Sequence, residues 1–234
     1  QGNHAMMQHT QTQLRQLKLT GMADALRRQD ELPNQYDSLS FAERLQLLVD
    51  HEELIREQRK QQRLLKGAKL KLNASAKAID YTYPRGLKQS QFAALLSGDW
   101  IHKHQNVLFT GPCGCGKTYL ACALAEAACM RGYSAKYYRL SRLLLELSQA
   151  KADGTYRKLL QQLAKLDLLI LDDWGLEPFE AAQRNDLMEI MDDRHGLSST
   201  IIIRSTSSVG PFPPATSGLF SALTGQDTTQ FPHP

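Results

Sequence analysis

The chain has 234 residues, 42% of them hydrophobic and 22% charged, which is the composition of an ordinary globular protein. No apolar run approaches the roughly 20 residues of a membrane-spanning helix and no secretory signal is visible, so we expect a cytoplasmic protein without a membrane partner. The net charge of +4 is unevenly spread, because the first 105 residues carry 16 Lys and Arg against 11 Asp and Glu, while the remainder carries 12 against 13.

The first six residues are typical of a remnant of an expression vector, and we leave them out of the predicted fold. Residues 12–31 then carry apolar side chains at three- and four-residue steps, which predicts one amphipathic helix. Its apolar positions are Leu14, Leu17, Met22, Ala25 and Leu26. Pro33 follows directly and is expected to end the helix.

A second helix is predicted to begin at Ser40, because Ser40 and Glu43 have the spacing of a capping box. Its later part, residues 56–77, carries eight basic residues against one acid, Glu57. The basic residues are Arg56, Arg59, Lys60, Arg63, Lys66, Lys69, Lys71 and Lys77. The residues expected to pack on the opposite side of the helix are Leu54, Leu64, Leu65, Ala68 and Leu72.

So uneven a charge favours contact with the phosphates of a nucleic acid over the alternative of a solvated basic face. Such binding would be largely independent of sequence and steeply weakened by salt. The residues assigned to DNA contact are Arg56, Arg59, Lys60, Arg63, Lys66, Lys69 and Lys71. Residues 7–79 are therefore predicted to form a small all-α domain that binds DNA.

Residues 80–105 are predicted to form a linker and a lead-in helix. The helical pattern breaks at residues 80–86 and resumes at residues 90–96. Tyr81 or Tyr83 could line an adenine pocket, with simple packing as the alternative.

A phosphate-binding loop is predicted between a buried strand at residues 106–110 and a helix that begins near Lys117. The chain there reads Gly-x-x-x-x-Gly-Lys-Thr, in the required strand-loop-helix context. Glycines allow backbone N–H groups to surround a phosphate chain, and the helix N-terminus attracts it. We expect Lys117 to reach the β- and γ-phosphates and the Thr118 hydroxyl to ligate Mg²⁺. The residues assigned to nucleotide binding are Gly111, Pro112, Cys113, Gly114, Cys115, Gly116, Lys117, Thr118 and Tyr119.

All four cysteines lie in this strand-helix segment, at Cys113, Cys115, Cys122 and Cys129. A disulfide framework would spread them along the chain, and a zinc site would need paired spacing. We therefore expect reduced thiols without a catalytic role.

Strands alternating with helices after the loop predict an α/β fold with a parallel sheet. The run at residues 166–173 suits a strand buried on both faces, and it ends in Asp172 and Asp173. Ligands bind at the carboxyl ends of parallel strands, so we expect both acids to lie close to the phosphate loop. Asp172 fits the acid that holds Mg²⁺ through water, and Asp173 fits the residue that orients or deprotonates the attacking water. Lys117 and Asp173 are thus the predicted catalytic residues.

A helix at residues 180–193 and a strand at residues 199–203 are expected to complete a nucleotide-binding core over residues 106–204. Residues 205–234 contain five of the nine prolines and one charged side chain, Asp227. Such a composition predicts an irregular, mobile tail.

Together these residues resemble the IstB-type transposition helper ATPases, which are AAA+ proteins related to the DnaC helicase loaders. The likeness covers residues 14–203, and its most telling part is Asp172-Asp173-Trp174-Gly175, because most AAA+ proteins place Glu where Asp173 stands. The resemblance implies a P-loop NTPase sheet of the AAA+ type flanked by helices, with ATP and Mg²⁺ as cofactors, in a bacterial cytoplasmic protein. It also implies a helical front domain that binds double-stranded DNA, self-association on DNA and stimulation of a partner transposase.

The chain departs from the family pattern after Ile203. Family members place a Ser-Gln pair that senses the γ-phosphate where this chain has Arg204-Ser205. They continue with a further strand and with an arginine that acts on the nucleotide of a neighbouring subunit. We find no match for either in this sequence. Such an ending is typical of a frameshift or truncation. An arginine finger raises the rate of phosphoryl transfer about 10³-fold or more. We therefore expect ATP binding with slow turnover and impaired assembly. A DnaC-like helicase loader and a nucleotide-gated DNA-binding module without hydrolysis are the alternatives.

Overall fold

The computed structural model describes residues 2–82, 88–207 and 219–223, with the backbone alone at residues 2, 3 and 219–223. The chain divides into two compact units, Gln1–Arg63 and Leu64–Pro234. Every helix in the described ranges is too short or too polar to cross a bilayer.

The first unit is built from helices α1 (Gly2–Gln16), α2 (Thr20–Glu31) and most of α3 (Phe41–Ala68). The prediction of a single helix over residues 12–31 is wrong, because Lys18 adopts a left-handed conformation with φ 61° between α1 and α2. Leu19 N donates to Leu14 O at 2.8 Å and Lys18 N donates to Arg15 O at 2.9 Å. This is the Schellman pattern that ends helices, with Lys18 at the position where glycine is usual.

The predicted capping box at the start of α3 is confirmed. Ser40 N donates to Glu43 Oε2 at 2.7 Å, and Glu43 N donates to Ser40 Oγ at 3.3 Å. The expectation that the basic helix reaches residue 77 is wrong, because α3 ends at Ala68 and Lys69 has φ 47°.

The positions predicted for the apolar side of this helix divide into two groups. Leu64, Leu65 and Ala68 pack in the core of the second unit. Leu54 is 51% exposed and Leu72 is exposed, so packing is not observed at these two positions.

The second unit contains a five-stranded sheet in the order β2-β3-β4-β1-β5, with every neighbouring pair parallel. The strands are β1 (Asn106–Gly111), β2 (Ala135–Arg139), β3 (Leu168–Trp174), β4 (Ser199–Ser205) and β5 (Leu219–Leu223). The helices are α4 (Gln89–Leu96), α5 (Asp99–His102), α6 (Lys117–Met130), α7 (Leu140–Asp153), α8 (Tyr156–Ala164) and α9 (Ala181–Arg194). The predicted parallel α/β sheet is confirmed, and each strand expected before residue 204 is present.

Strand β5 differs from the irregular tail that we expected after residue 204. Its backbone pairs with β1 in the register Asn106 with Leu219 through Thr110 with Leu223. The segment after residue 204 therefore contains one further strand. The remaining residues of the predicted tail, 208–218 and 224–234, lie outside the described ranges.

The core covers both faces of the sheet, and β3 contributes to both. Leu168 and Ile170 join one apolar cluster with α6, whereas Leu169 and Leu171 join the other with α7 and α9. This alternation follows from the period of two in a β-strand. Burial on both faces explains why the run reads as continuously apolar.

Candidate functional site

The carboxyl ends of three strands bring the predicted site residues to one edge of the sheet. Gly111 ends β1, Arg139 ends β2, and Asp172 and Asp173 lie near the end of β3. The strands are parallel, so these ends share an edge, with β4 between β1 and β3. The structure thus brings the phosphate loop and the two acids together, as the sequence predicts.

The phosphate loop takes backbone conformations that favour glycine. Gly114 has φ 79° and Gly116 has φ 91°, and Gly116 is the N-cap residue of α6. A Cβ atom built at Gly114 would meet nothing within 4 Å, so the apex of the loop faces open space. Side chains other than glycine rarely adopt this left-handed region, which explains the residue type at both positions.

Lys117 is buried at the start of α6, and its ammonium lies against the loop. Nζ donates to Gly111 O at 2.8 Å and to Pro112 O at 2.6 Å. A lysine ammonium has three donors and no acceptor, so the loop carbonyls hold it where it can meet an anionic group.

Asp172 is 1% exposed and all of its described partners are donors. Oδ2 accepts from Thr118 Oγ1 at 2.8 Å and from Tyr137 Oη at 2.6 Å, and Oδ1 accepts from Asp173 N at 2.7 Å. Burial, together with the hydrogen bond to this carboxylate, raises the pKa of Tyr137 far above its usual range. Tyr137 therefore remains a protonated donor that fixes the orientation of Asp172.

Asp173 faces Arg139 across the ends of β3 and β2. Arg139 Nε donates to Asp173 Oδ2 at 2.8 Å, and the Asp173 side chain is 30% exposed. Asp173 has φ 60°, and the pairing of β3 with β4 shifts register between Leu171 and Trp174. Aspartate tolerates the left-handed region better than most residues, and this local irregularity re-aims the side chain at the end of the strand.

A cavity of about 520 Å³ adjoins the Asp173 and Arg139 side chains. Its other lining residues come from α7, from the segment between β3 and α9, and from the first turn of α9, and they include Leu144, Phe179 and Gln183. None of the phosphate-loop residues lines it, so this cavity is separate from the loop.

The end of β4 lies beside the phosphate loop. Thr110 is in register with Arg204 and Gly111 with Ser205, and Thr206 N donates to Gly111 O at 3.0 Å. Arg204 is buried, and burial lowers the pKa of its guanidinium. The Arg204-Ser205 pair, which replaces the Ser-Gln pair expected from the resemblance, thus adjoins the strand that carries the loop.

Tyrosines proposed near the nucleotide have other contacts. The Tyr119 hydroxyl lies 3.3 Å from both the backbone N and O of Ser75, so nucleotide contact by Tyr119 stays a prediction. The Tyr81 ring lies 6.5 Å from the Phe92 ring and joins the apolar core, which matches the packing alternative. Tyr83 lies outside the described residues.

The seven predicted DNA contacts all have exposed side chains. Lys69 and Lys71 follow the end of α3, whereas the other five lie on it. Arg56 Nε forms an ion pair with Glu52 at 2.7 Å, and Arg59 donates to Thr20 Oγ1 at 2.8 Å. DNA contact at these positions remains a prediction.

Sequence reasoning missed the contacts of Tyr137 and Arg139 with the two acids. We predicted strand β2 without a functional role for its side chains. The available signal was their spacing of two residues, which places both on one face of a strand. Recognising their partners required the register, in which Arg139 is opposite Asp172.

Residues 12–212 match the family described as IstB-like ATP binding protein. The chain belongs to this family. It is 52% identical over 198 residues to the protein named as the ATP-binding protein of insertion sequence IS1162 from Pseudomonas fluorescens, covering 84% of this chain and 85% of that one. It is also 44% identical over 200 residues to an insertion-sequence protein named for ATP binding from Sinorhizobium fredii, covering 84% and 80%.

Solved structures agree with this family assignment at the level of fold. The DnaC helicase loader matches with a TM-score of 0.50 and 28% identity, over 60% of this chain and 81% of that one. AMPPCP-bound DnaA from Aquifex aeolicus matches with a TM-score of 0.52 and 20% identity, over 58% and 43%, and shows likeness of fold alone. The IstB-like chain therefore has a P-loop fold of the AAA+ type, and by family it is a P-loop ATPase.

Proposed function

We propose that this IstB-like protein binds ATP and Mg²⁺ at residues 111–118 and acts as a DNA-binding helper of transposition that stimulates a partner transposase. The observation that carries nucleotide binding is the hydrogen bond between Thr118 Oγ1 and Asp172 Oδ2 at 2.8 Å, next to the buried ammonium of Lys117. It joins a residue of the phosphate loop to the acid predicted to hold the metal ion, and the two come from distant parts of the sequence.

The phosphate loop fits a nucleotide triphosphate chain. Backbone N–H groups of the loop and the N-terminus of α6 attract anions. Phosphate oxygens are charged and accept stronger hydrogen bonds than carbonyls do. We therefore expect Lys117 to exchange the carbonyls of Gly111 and Pro112 for phosphate oxygens when ATP binds.

Thr118 and Asp172 fit a magnesium ion, because Mg²⁺ takes oxygen ligands and is held by one or two protein groups plus phosphates and water. No three His, Cys, Asp or Glu side chains in the described ranges form a metal cluster. The ion would thus depend on phosphate oxygens for part of its shell, so we expect Mg²⁺ and ATP to bind together. When bound, Mg²⁺ neutralises negative charge on the phosphates.

Asp173 is the candidate for orienting or deprotonating the attacking water. Its carboxylate is already engaged by Arg139 at 2.8 Å. A carboxylate oxygen that already accepts a hydrogen bond from a guanidinium is less available to accept one from a water molecule. We therefore propose slow basal hydrolysis.

The basic side of α3 supports DNA binding. Arg56, Lys60, Arg63 and Lys66 recur at the three- and four-residue steps that share one face of a helix, and their side chains are exposed. Among the described residues, no acidic side chain pairs with Lys60, Arg63 or Lys66. These cations are available to phosphates without the loss of an existing ion pair.

The transposition role is supported by the names of the relatives, which come from insertion sequences. A helicase-loader role rests on the likeness to the DnaC structure. Affinity capture with an insertion-sequence transposase and with a replicative helicase separates the two, since we expect ATP-dependent capture of the transposase alone. Capture of the helicase alone would assign the loader role instead.

The nucleotide site is tested with Lys117→Ala and Asp173→Asn. We expect Lys117→Ala to weaken ATP binding about 10- to 100-fold, because it removes a hydrogen bond between charged groups. Asp173→Asn should retain ATP affinity and slow hydrolysis about 100-fold or more. The measurements are equilibrium ATP binding and DNA-stimulated phosphate release. An equal loss of affinity in both variants would contradict the separate roles.

The DNA surface is tested by Lys60→Glu combined with Arg63→Glu. Each lost phosphate contact should reduce the slope of log affinity against log salt by about one. Lys165→Glu is the matched control, because Lys165 is exposed and lies outside the predicted surface. An unchanged salt slope in the double variant would rule out this surface.

A further inference from the structure

The turn between α1 and α2 holds a lysine in an unfavourable backbone conformation. Lys18 has φ 61°, in the left-handed region that glycine adopts freely and that is costly for a residue with a Cβ atom. It follows α1 at the position where glycine is usual, and its backbone N–H donates to Arg15 O at 2.9 Å. Backbone geometry alone does not account for a lysine here, so the strain points to a role for its side chain.

The Lys18 side chain is exposed and carries a charge that the rest of the chain leaves unused. In the described part of the chain, no hydrogen bond or ion pair engages its ammonium. Arg15, one turn earlier, differs in this respect, because it forms an ion pair with Asp24 at 3.0 Å. The Lys18 ammonium is therefore available to an anion outside the chain without the loss of an existing ion pair.

The start of α2 is fixed against the basic helix α3. Glu52 of α3 is 6% exposed, and its Oε2 accepts from Met22 N at 3.0 Å. This carboxylate supplies the cap that α2 lacks, because the N-cap residue Leu19 makes no side-chain hydrogen bond. A Cβ atom at Gly21 would lie 2.7 Å from the Glu52 Cα, so any side chain there would push the two helices apart.

The same contact brings the turn beside two of the arginines assigned to DNA. Arg59 donates to Thr20 Oγ1 at 2.8 Å, and Arg56 Nε forms an ion pair with Glu52 at 2.7 Å. Lys18 is two residues before Thr20, so their Cα atoms lie within about 7 Å of each other. The Lys18 backbone is therefore close to the Arg59 guanidinium, although the two residues are far apart in sequence.

We propose that Lys18 extends the DNA surface of α3 onto the turn between α1 and α2, where its ammonium binds a backbone phosphate of double-stranded DNA. This inference rests on the proposed binding of DNA by α3, to which it adds a contact from a second element. Gly21 and Glu52 are positioning residues, because they hold the turn against α3 without touching DNA. Glycine at position 18 would relieve the backbone strain, but it carries no charge for a phosphate.

The test is Lys18→Gly in the full chain, because this variant removes the charge and relieves the strain at once. We expect the midpoint of thermal unfolding to stay the same or to rise by up to about 4 °C. The slope of log affinity for a double-stranded oligonucleotide against log salt should fall by about one. If both proteins bind equally at about 1 M salt, this change corresponds to roughly eightfold weaker binding at about 0.1 M salt.

Three further variants separate charge from backbone conformation. Lys18→Arg keeps the charge and should retain both the DNA affinity and the salt slope. His104→Gly is the control for conformation, because His104 is exposed and has φ 54° just after α5. It should leave DNA affinity unchanged. Lys165→Gln removes an exposed positive charge outside the proposed surface and should leave the salt slope unchanged.

An unchanged salt slope in Lys18→Gly, together with a reduced slope in the Lys60→Glu and Arg63→Glu double variant, would overturn the inference while the DNA surface of α3 stands. Weaker DNA binding accompanied by a lower unfolding midpoint would also overturn it, because Lys18 would then have a structural role. Equal losses in Lys18→Gly and Lys18→Arg would do the same. Failure of the unaltered chain to bind DNA would overturn the proposed DNA binding and this inference with it.

Discussion

Arg139 and Asp173 form an ion pair in which Arg139 Nε donates to Asp173 Oδ2 at 2.8 Å. Arg139 ends β2 and Asp173 is the last residue but one of the neighbouring parallel strand β3. Asp173 is the carboxylate proposed to act on water. The strength of this ion pair therefore sets how available the Asp173 carboxylate is to the attacking water.

Arg139→Ala should release Asp173 and raise the rate of ATP hydrolysis by up to about fivefold, because a solvent-exposed ion pair contributes at most about 1 kcal/mol. ATP affinity should not change. Phosphate release with and without DNA measures the effect, and Arg142→Ala is the matched control on an exposed arginine of α7. A slower Arg139→Ala enzyme would mean that Arg139 takes part in hydrolysis.

Tyr137→Phe should raise the Mg²⁺ concentration for half-maximal ATP binding about 10-fold, because Asp172 loses a hydrogen bond to its charged carboxylate. A magnesium titration of nucleotide binding measures this shift. Tyr138→Phe is the control, since Tyr138 packs in the cluster on the other face of the sheet. The same shift in both variants would show that Tyr137 acts through general packing.

The free energy of unfolding should fall as pH rises from about 9 toward 10, in reducing buffer. The pKa of Cys129 is raised from 9.0 to about 11, so the unfolded chain loses this proton first and gains stability relative to the folded one. For Cys129 alone the loss at pH 10 is about 1.4 kcal/mol. Urea unfolding at pH 8 and pH 10 checks it. Cys129→Ala should reduce the difference, whereas the exposed Cys113→Ser should leave it intact.

Arg194→Met should lower the free energy of unfolding by about 4 kcal/mol, because it removes donors from several buried acceptors at once. The Arg194 side chain is 2% exposed and donates to Leu163 O at 2.5 Å, Leu166 O at 2.8 Å and Ser199 O at 2.5 Å. Arg184→Met is the control, since Arg184 is exposed and donates to one carbonyl. Similar losses in both variants by urea unfolding would contradict this role.

The strands and the phosphate loop could be predicted because their signals are local. A few consecutive residues are enough to predict each of these features. The apolar run before Asp172 predicts a strand, the glycine spacing before Lys117 predicts the phosphate loop, and the capping box at Ser40 predicts a helix start. The break at Lys18 could not be predicted, because a lysine there carries none of the glycine signal of a helix end.

Other features depend on contacts between distant parts of the chain. Tyr137 meets Asp172 and Arg139 meets Asp173 because β2 pairs with β3, and a sequence does not state its register. Strand β5 was missed for a related reason, since its segment has a proline-rich composition and its pairing with β1 is long-range. Local composition therefore underestimates order where a neighbouring strand supplies it.

The position of β5 has a consequence for the strand that carries the phosphate loop. With β4 on one side and β5 on the other, the backbone amides and carbonyls of β1 are paired in both directions. A chain shortened before Leu219 would turn β1 into an edge strand that offers a row of unpaired groups to other molecules. Residues 219–223 thus take the edge position themselves and leave the nucleotide-binding strand in the interior of the sheet, although they lie more than a hundred residues away from it in sequence.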